Sequence, residues 1–298
     1  MSRRRSPSAG RRYGVRRVCR AWELARSSLY ASRRRGDAGQ AKLRRGPRGV
    51  HSDQQLVDAI KQVLSSSPFT AEGYRKVWAR LRWQGIRTSK RRVLRLMREE
   101  GLLAPVRKGR PRGPAVHDGT ITRDRPNQMW GTDITSTVLS TGRQVSVFVC
   151  VDHCGILCNG IHAAERAPRW EALEPIRQAV RDNFGAVGSG VAEGLELRHD
   201  HGSQYMSDDF QKEIRFLGIE SSPAFVRQPE GNGCAEWFIK VLKENLLWVR
   251  SFDTVEELME ALLEFRDHYN NHWIMSKHGY KTPAQIHREK KSCSEAAA

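Results

Sequence analysis

No stretch of this chain approaches the roughly 18 consecutive apolar residues that a membrane-spanning helix needs, which excludes an integral membrane protein of helical type. The opening residues Met1–Arg5 resemble the charged start of a secretory leader, but no apolar segment follows, so export is not expected. Cysteine is sparse: Cys19, Cys150, Cys154, Cys158, Cys234 and Cys293 are scattered and form no disulfide framework, which points to a reducing cytosol. Hydrophobic residues make up 39%, below the roughly 45–50% of an average globular chain, yet 298 residues still suffice for two or three domains. Acidic residues are nearly missing from the first third. Residues 1–112 hold 31 basic and 7 acidic side chains, a net of +24, whereas residues 113–298 hold 20 and 26, a net of −6. A basic half with helical apolar faces, rather than one amphipathic membrane helix, favours nucleic acid over lipid or acidic protein as its partner.

The basic half resolves into helical signals. Val15, Val18, Cys19 and Trp22 recur at helical spacing, and Ser27 is a candidate cap for a second short helix carrying Leu29 and Tyr30. A stronger unit follows. Ser52 caps a helix with Leu56, Ile60, Val63 and Leu64 on one face, and Thr70 opens a second with Tyr74, Val77, Trp78 and Leu81 inward. Ser89 caps a third helix that packs Val93, Leu94 and Met97, and Gly101 suits the left-handed residue after its end. Arg91, Arg92, Arg95 and Arg98 face solvent in the pattern of a recognition helix, where guanidinium groups meet phosphates and guanine edges. These signals divide the chain into a basic arm (1–50), a helix-turn-helix unit (51–104), a basic Pro/Gly linker (105–122), a second domain (123–288) and a disordered tail (289–298).

In the second domain, Met129–Val138 and Gln144–Val151 read as strands, the latter with Val145, Val147, Val149 and Val151 on one face. Further strands are expected at about 155–164, 195–198 and 219–222, and helices at about 167–184, 208–217, 232–249 and 253–271. That order gives an α/β domain on a mixed five-stranded sheet. Three carboxylates stand out. Asp133 lies inside the first strand, where an unpartnered carboxylate is costly, Asp200 follows a short strand, and Glu236 begins a strong helix. Lys240 and Lys243 share the face of Glu236. Such a set could bind a pair of Mg²⁺ ions and act on a phosphodiester. An Asp beside a Gly-Ser turn is as readily a turn former, and a strand Asp an ion-pair partner. Cys150, Cys154 and Cys158 read as packing residues, and Ser203 lacks the partners of a hydrolase triad.

Asp133, Asp200 and Glu236, the last two separated by 35 residues, resemble the DD(35)E signature of retroviral-integrase-like transposases. The words WGTDIT (130–135), HDHGSQY (199–205), GNGCAE (231–236), LKENLL (242–247) and GYKTPA (279–284), with Tyr269-Asn270, are similar to the OrfB-type catalytic reading frame of insertion sequences of the IS-three family. The resemblance runs over about 15–285. It implies a ribonuclease-H-like core preceded by an all-α helix-turn-helix region, with Asp133, Asp200 and Glu236 as catalytic metal ligands for two Mg²⁺ ions, Mn²⁺ substituting. It implies metal-dependent cleavage at the element's ends and strand transfer by the freed 3′-hydroxyl, with terminal repeats and target DNA as partners. Lys243 matches the family's basic residue near the DNA end, and Lys240 and His199 are further candidate contacts. The expected setting is the bacterial cytoplasm at the nucleoid, as a homo-oligomer on DNA, in some members fused to an upstream reading frame. Trp237 and the stretch Trp273–Lys277 depart from the family wording. They keep open an alternative: a catalytically inactive relic or repressor that binds DNA.

Overall fold

The computed structural model describes residues 4–37, 50–70, 72–105, 121–166, 169–224 and 232–295. The chain forms two compact units, Met1–Val50 and His51–Ala298. The first holds α1 (Val15–Ala21) and α2 (Arg26–Asp37). Cys19 is buried there, while Trp22 and Leu24 are exposed. Helix α2 begins before Ser27, which is therefore not its cap, and it continues to Asp37 within the basic arm. Residues 38–49 lie outside the described residues, as do 106–120 of the basic Pro/Gly linker.

The second unit opens with α3 (Asp53–Ser65), α4 (Tyr74–Trp83) and α5 (Lys90–Glu99). Ser52 and Gln55 make a reciprocal capping box at the start of α3: Ser52 Oγ accepts from the Gln55 N–H at 3.1 Å, and Gln55 Oε1 from the Ser52 N–H at 2.8 Å. Ser89 Oγ accepts from the Arg92 N–H at 3.2 Å at the start of α5. Leu56, Ile60, Val77, Leu81, Val93 and Met97 form the three-helix core. Leu96 is buried where the sequence suggested Leu94. Thr70 does not open α4, which starts after Gly73. Its N–H donates instead to Asn245 Oδ1 at 3.0 Å and its hydroxyl to the Glu244 carbonyl at 3.1 Å.

Those bonds reach into the second domain, and the helical unit is therefore docked on it. Phe69, in the α3–α4 connection, sits edge-on to Trp273 at 4.9 Å and belongs to the core of the α/β part. Arg80 grips both oxygens of the buried Glu72 at 2.7 and 2.8 Å and donates to the His272 carbonyl at 3.1 Å. Trp78 meets Tyr280 edge-on at 5.6 Å.

The α/β part is a five-stranded sheet of β1 (Met129–Val138), β2 (Gln144–Asp152), β3 (Leu157–Ala164), β4 (Glu196–His199) and β5 (Glu220–Pro223), in the order β3-β2-β1-β4-β5. The first three strands are antiparallel neighbours, and β4 and β5 add in parallel. Helices α6 (Arg169–Phe184), α7 (Ser203–Met206) and α8 (Asp208–Phe216) contribute to one face. Helices α9 (Gly233–Leu242) and α10 (Val255–His272) cover the other. Strand β2 shows why both faces are covered: Val145, Val147, Val149 and Val151 pack toward α9 and α10, while Phe148 and Cys150 pack toward α6. The expected helix over 232–249 is α only to Leu242 and continues as a π-turn over Lys243–Leu247.

A final helix, α11 (Pro283–Glu295), crosses the boundary drawn at residue 288, so most of the expected disordered tail is helical. Its start obeys simple rules: Pro283 takes the first helical position, and Thr282 exchanges bonds with Gln285 at 2.9 and 3.3 Å. Among the described residues no helix is long and apolar enough to cross a membrane.

Candidate active site and DNA-contact residues

The sheet brings the two aspartates level. Strand β4 pairs with β1 as far as Gly131 opposite Arg198, and the same register continued by two residues sets Asp200 beside Asp133. Helix α9 arrives from the other side. Asn232, just before it, donates from Nδ2 to the Thr132 carbonyl at 3.0 Å and so ties the helix start to the residue next to Asp133. Glu236 stands in the first turn of α9 and is exposed, as is Asp200, whereas Asp133 is half-buried. One oxygen of each aspartate is fixed locally: Asp133 Oδ1 accepts from the Ile134 N–H, and Asp200 Oδ1 from the Gly202 N–H, both at 2.8 Å.

Electrostatics joins the three. Burial pushes the Asp133 carboxyl up to about 6, and the charges of Asp200 and Glu236 push the same way, against the Ile134 amide and the Lys243 ammonium. A pocket of negative potential with oxygen donors suits a hard cation, which would relieve that repulsion. Among the described residues, however, no three His, Cys, Asp or Glu side chains stand close enough together to hold a metal ion. The donor set fits in chemistry and field, and closing it around an ion requires side-chain movement.

The other candidates divide. Lys243 sits half-buried at the start of the π-turn, within electrostatic reach of Asp133, and Lys240 is exposed one turn earlier. His199 is not available to a phosphate. It is fully buried, its Nδ1 donates to the Asp200 carbonyl at 2.7 Å, and its Nε2 accepts from Ser221 Oγ at 2.9 Å. Its ring packs on Tyr205 and Phe210, and burial pushes it toward the neutral form. The histidine thus joins β4 to β5 and fixes the backbone at Asp200.

The four arginines of α5 separate in the same way. Arg91 and Arg98 are exposed, but Arg92 and Arg95 turn back to Asp53 in α3, with contacts of 2.8 and 2.7 Å. Arg92 also donates to the His51 carbonyl, and Arg95 to Glu99. The hydrogen bonds from Arg95 and Arg92 hold Asp53 down at about 2. A depressed carboxylate stabilises the fold above its unfolded value and loses that contribution as pH falls through the folded value. The melting-temperature gap between wild type and Asp53→Asn is therefore expected in full at about pH 5 and to shrink to roughly a third at about pH 2.5. A gap independent of pH would reject the ion-pair account.

Several family words prove to be packing devices. Tyr269 donates to the Ile156 carbonyl at 2.9 Å, and Asn270 bonds both the N–H and the carbonyl of Cys158 at 2.9 Å, which pins α10 to β3. Cys150, Cys154, Cys158 and Cys234 are buried, and burial pushes their thiols up. Asn232 was missed as a positioning residue, although its place in GNGCAE, four residues before the glutamate, was a usable signal. Trp237 turns onto Tyr269 and Trp273 at 6.3 and 6.0 Å, a packing role next to Glu236.

The mixed β3-β2-β1-β4-β5 sheet with helices on both faces is a ribonuclease-H-like core, and acidic residues lie on β1, after β4 and at the start of α9. Residues 51–110 match the HTH-like domain family, and residues 123–229 and 217–283 match two families described as integrase core domain. The transposase InsD of insertion element IS2 from Escherichia coli is 28% identical over 289 residues, covering 94% of this chain and 93% of that one. An uncharacterised 48.2 kDa protein of IS2A from the same species is 28% identical over 292 residues, of which this chain spans only 66%. Among solved structures, a chain of the simian T-cell lymphotropic virus intasome matches at TM-score 0.47 with 22% identity, covering 70% of both chains. The catalytic core of HTLV-2 integrase matches at TM-score 0.40 with 20% identity, over 55% of this chain and 97% of that one. The chain thus carries an HTH-like domain and an integrase core domain, and over nearly its whole length it is similar to transposases of insertion elements. It is a DNA-binding polynucleotidyl transferase that acts in transposition.

Proposed function

We propose that this transposase cuts DNA at the ends of its element and joins the freed 3′-hydroxyls to target DNA, with Asp133, Asp200 and Glu236 as the catalytic residues. The observation that carries this reading is the shared field of those three carboxylates with Lys243 around Asp133. Two divalent cations, Mg²⁺ or Mn²⁺ in its place, would supply Lewis-acid polarisation of the phosphodiester and charge stabilisation of the attacking and leaving oxygens. Asp133 and Asp200 each keep one oxygen outside their local backbone bonds, and Glu236, in the first turn of α9, lies within electrostatic reach of Asp133. Lys243 and Lys240 hold the phosphates of the end DNA beside the carboxylates.

The helix-turn-helix unit at 51–104 recognises the terminal repeats and the core at 123–288 carries the chemistry. Arg91 and Arg98 touch DNA directly, whereas Arg92 and Arg95 brace α5 against α3. Accordingly, Arg91→Ala and Arg98→Ala should each lower the salt slope of end binding by about one, while Arg92→Ala should weaken binding with the slope kept. Titrations at several salt concentrations separate the two, and equal slopes throughout would reject the assignment. The protein acts as a homo-oligomer on DNA at the bacterial nucleoid, alone or fused to an upstream reading frame. Trp237, on which the inactive alternative rests, packs against Tyr269 and Trp273, so it gives no ground for a dead core.

The test is nicking and joining of a labelled duplex that bears the element's inverted repeats. Products are expected with Mg²⁺, none with a chelator, and duplex binding in both. Products that persist in excess chelator would overturn the metal-dependent reading.

A further inference from the structure

The two departures from the family wording meet in space. Trp237 and the Trp273–Lys277 stretch line one cavity of about 370 Å³, together with Gly233 at the start of α9 and Lys76 of α4. Trp237 and Trp273 stand 6.0 Å apart at 69°, so their rings form a corner rather than a closed stack. Lys76 Nζ lies 2.9 Å from the centre of the Trp273 ring. Among the described residues it has no hydrogen bond or ion pair, since both oxygens of nearby Glu72 are held by Arg80. Burial accordingly pushes the Lys76 ammonium down to about 7, against the pull of Glu72. Lys277 is exposed at the rim, and Ile274 and Met275 are buried.

An aromatic corner with one under-compensated half-buried ammonium and one exposed ammonium suits a ligand that is both flat and anionic. A nucleotide is that ligand: every base offers a π-face, and its phosphate would restore a counter-charge to Lys76. The volume, at the small end of ligand cavities, admits one nucleotide and no duplex. Trp237 follows Glu236 directly, and adjacent helix positions differ by about 100°, so the occupant flanks the carboxylates and is not the reacting group.

We propose that this cavity is a nucleotide subsite, which takes one unstacked base of the element's end on Trp237 and its phosphate on Lys76 and Lys277. The inference rests on the reading of Glu236 as part of the active site. Because Lys76 belongs to the helical unit, the bound nucleotide would touch both DNA-reading and catalytic parts of the chain.

The test uses the full chain and a terminal-repeat duplex with 5-iodouracil at successive positions around the cleavage site, irradiated in the bound complex and mapped by mass spectrometry. A crosslink to Trp237 or Trp273 is expected from one or two positions only. Trp237→Leu, which keeps an apolar contact to Tyr269, should cut that crosslink about tenfold and weaken end binding severalfold. Lys277→Glu, on an exposed residue that does not endanger folding, should do the same. Intact end binding with crosslinks elsewhere only, or a crosslink that Lys277→Glu leaves unchanged, would overturn the subsite and leave the transposase reading standing. No retention of the duplex by wild type at any salt concentration would overturn both.

Discussion

Asp133→Asn, Asp200→Asn and Glu236→Gln should each lower joining of end DNA by about a thousandfold or more, with duplex binding kept within about twofold. The isosteric amides preserve volume and remove the charge that would hold a cation. Asp133 adds a second, opposite readout. Its carboxyl is raised to about 6, first by burial and then by Asp200 and Glu236. A carboxylate raised above its unfolded value binds more protons in the folded state, so above that pH its charged form opposes folding. Asp133→Asn should therefore melt at the same temperature as wild type or higher at about pH 7.5, while its chemistry is lost. Joining assays beside thermal melts decide this. A variant that loses DNA binding or stability in step with joining would remove the case for a site separate from the scaffold.

Gly160→Ala should abolish the fold of the core. The glycine lies in β3 beneath α6, and a Cβ there would stand 1.9 Å from the Pro175 carbonyl oxygen and 2.7 Å from its carbon. Those are backbone atoms of a buried helix, so no side chain can swing aside and α6 must lift from the sheet. Overpacking of that size exceeds the usual 1–3 kcal/mol, and a cost above about 4 kcal/mol is expected. Loss of the cooperative melt, or of soluble protein, is the outcome to look for. Gly142→Ala is the control. It has open space but a φ of +80°, so it should cost only about 1 kcal/mol. Equal behaviour of the two variants would contradict the close approach of helix and sheet.

Much of the architecture was legible because it rests on local rules. The alternation Val145, Val147, Val149 and Val151 sets one face of β2, and the Ser52–Gln55 box and the Ser89 cap set two helix starts. Where the reading slipped, a distant contact decided the outcome. Thr70 looks like a cap, but its polar groups are taken by Glu244 and Asn245, so α4 starts later. Arg92 and Arg95 look like solvent-facing DNA contacts until Asp53, from another helix, turns them inward. His199 sits beside a candidate catalytic aspartate in sequence, yet β5 closes over it and supplies Ser221 as its partner.

By itself, the sequence determined the charge division, most strands and helices, the helical unit ahead of an α/β core and the transposase-like words around three carboxylates, since each is written in periodicity or short ordered words. Only the tertiary structure decided which polar groups remain available for DNA. Arg91 and Arg98 stay exposed while Arg92, Arg95 and His199 are consumed by the fold. It also decided that the helical unit is docked on the core through Phe69 and Arg80, and that Trp237 faces Trp273. The reason is physical. A side chain's hydrogen-bonding and charge demands are met by whatever the fold brings near, and no local pattern records partners that lie far away along the chain.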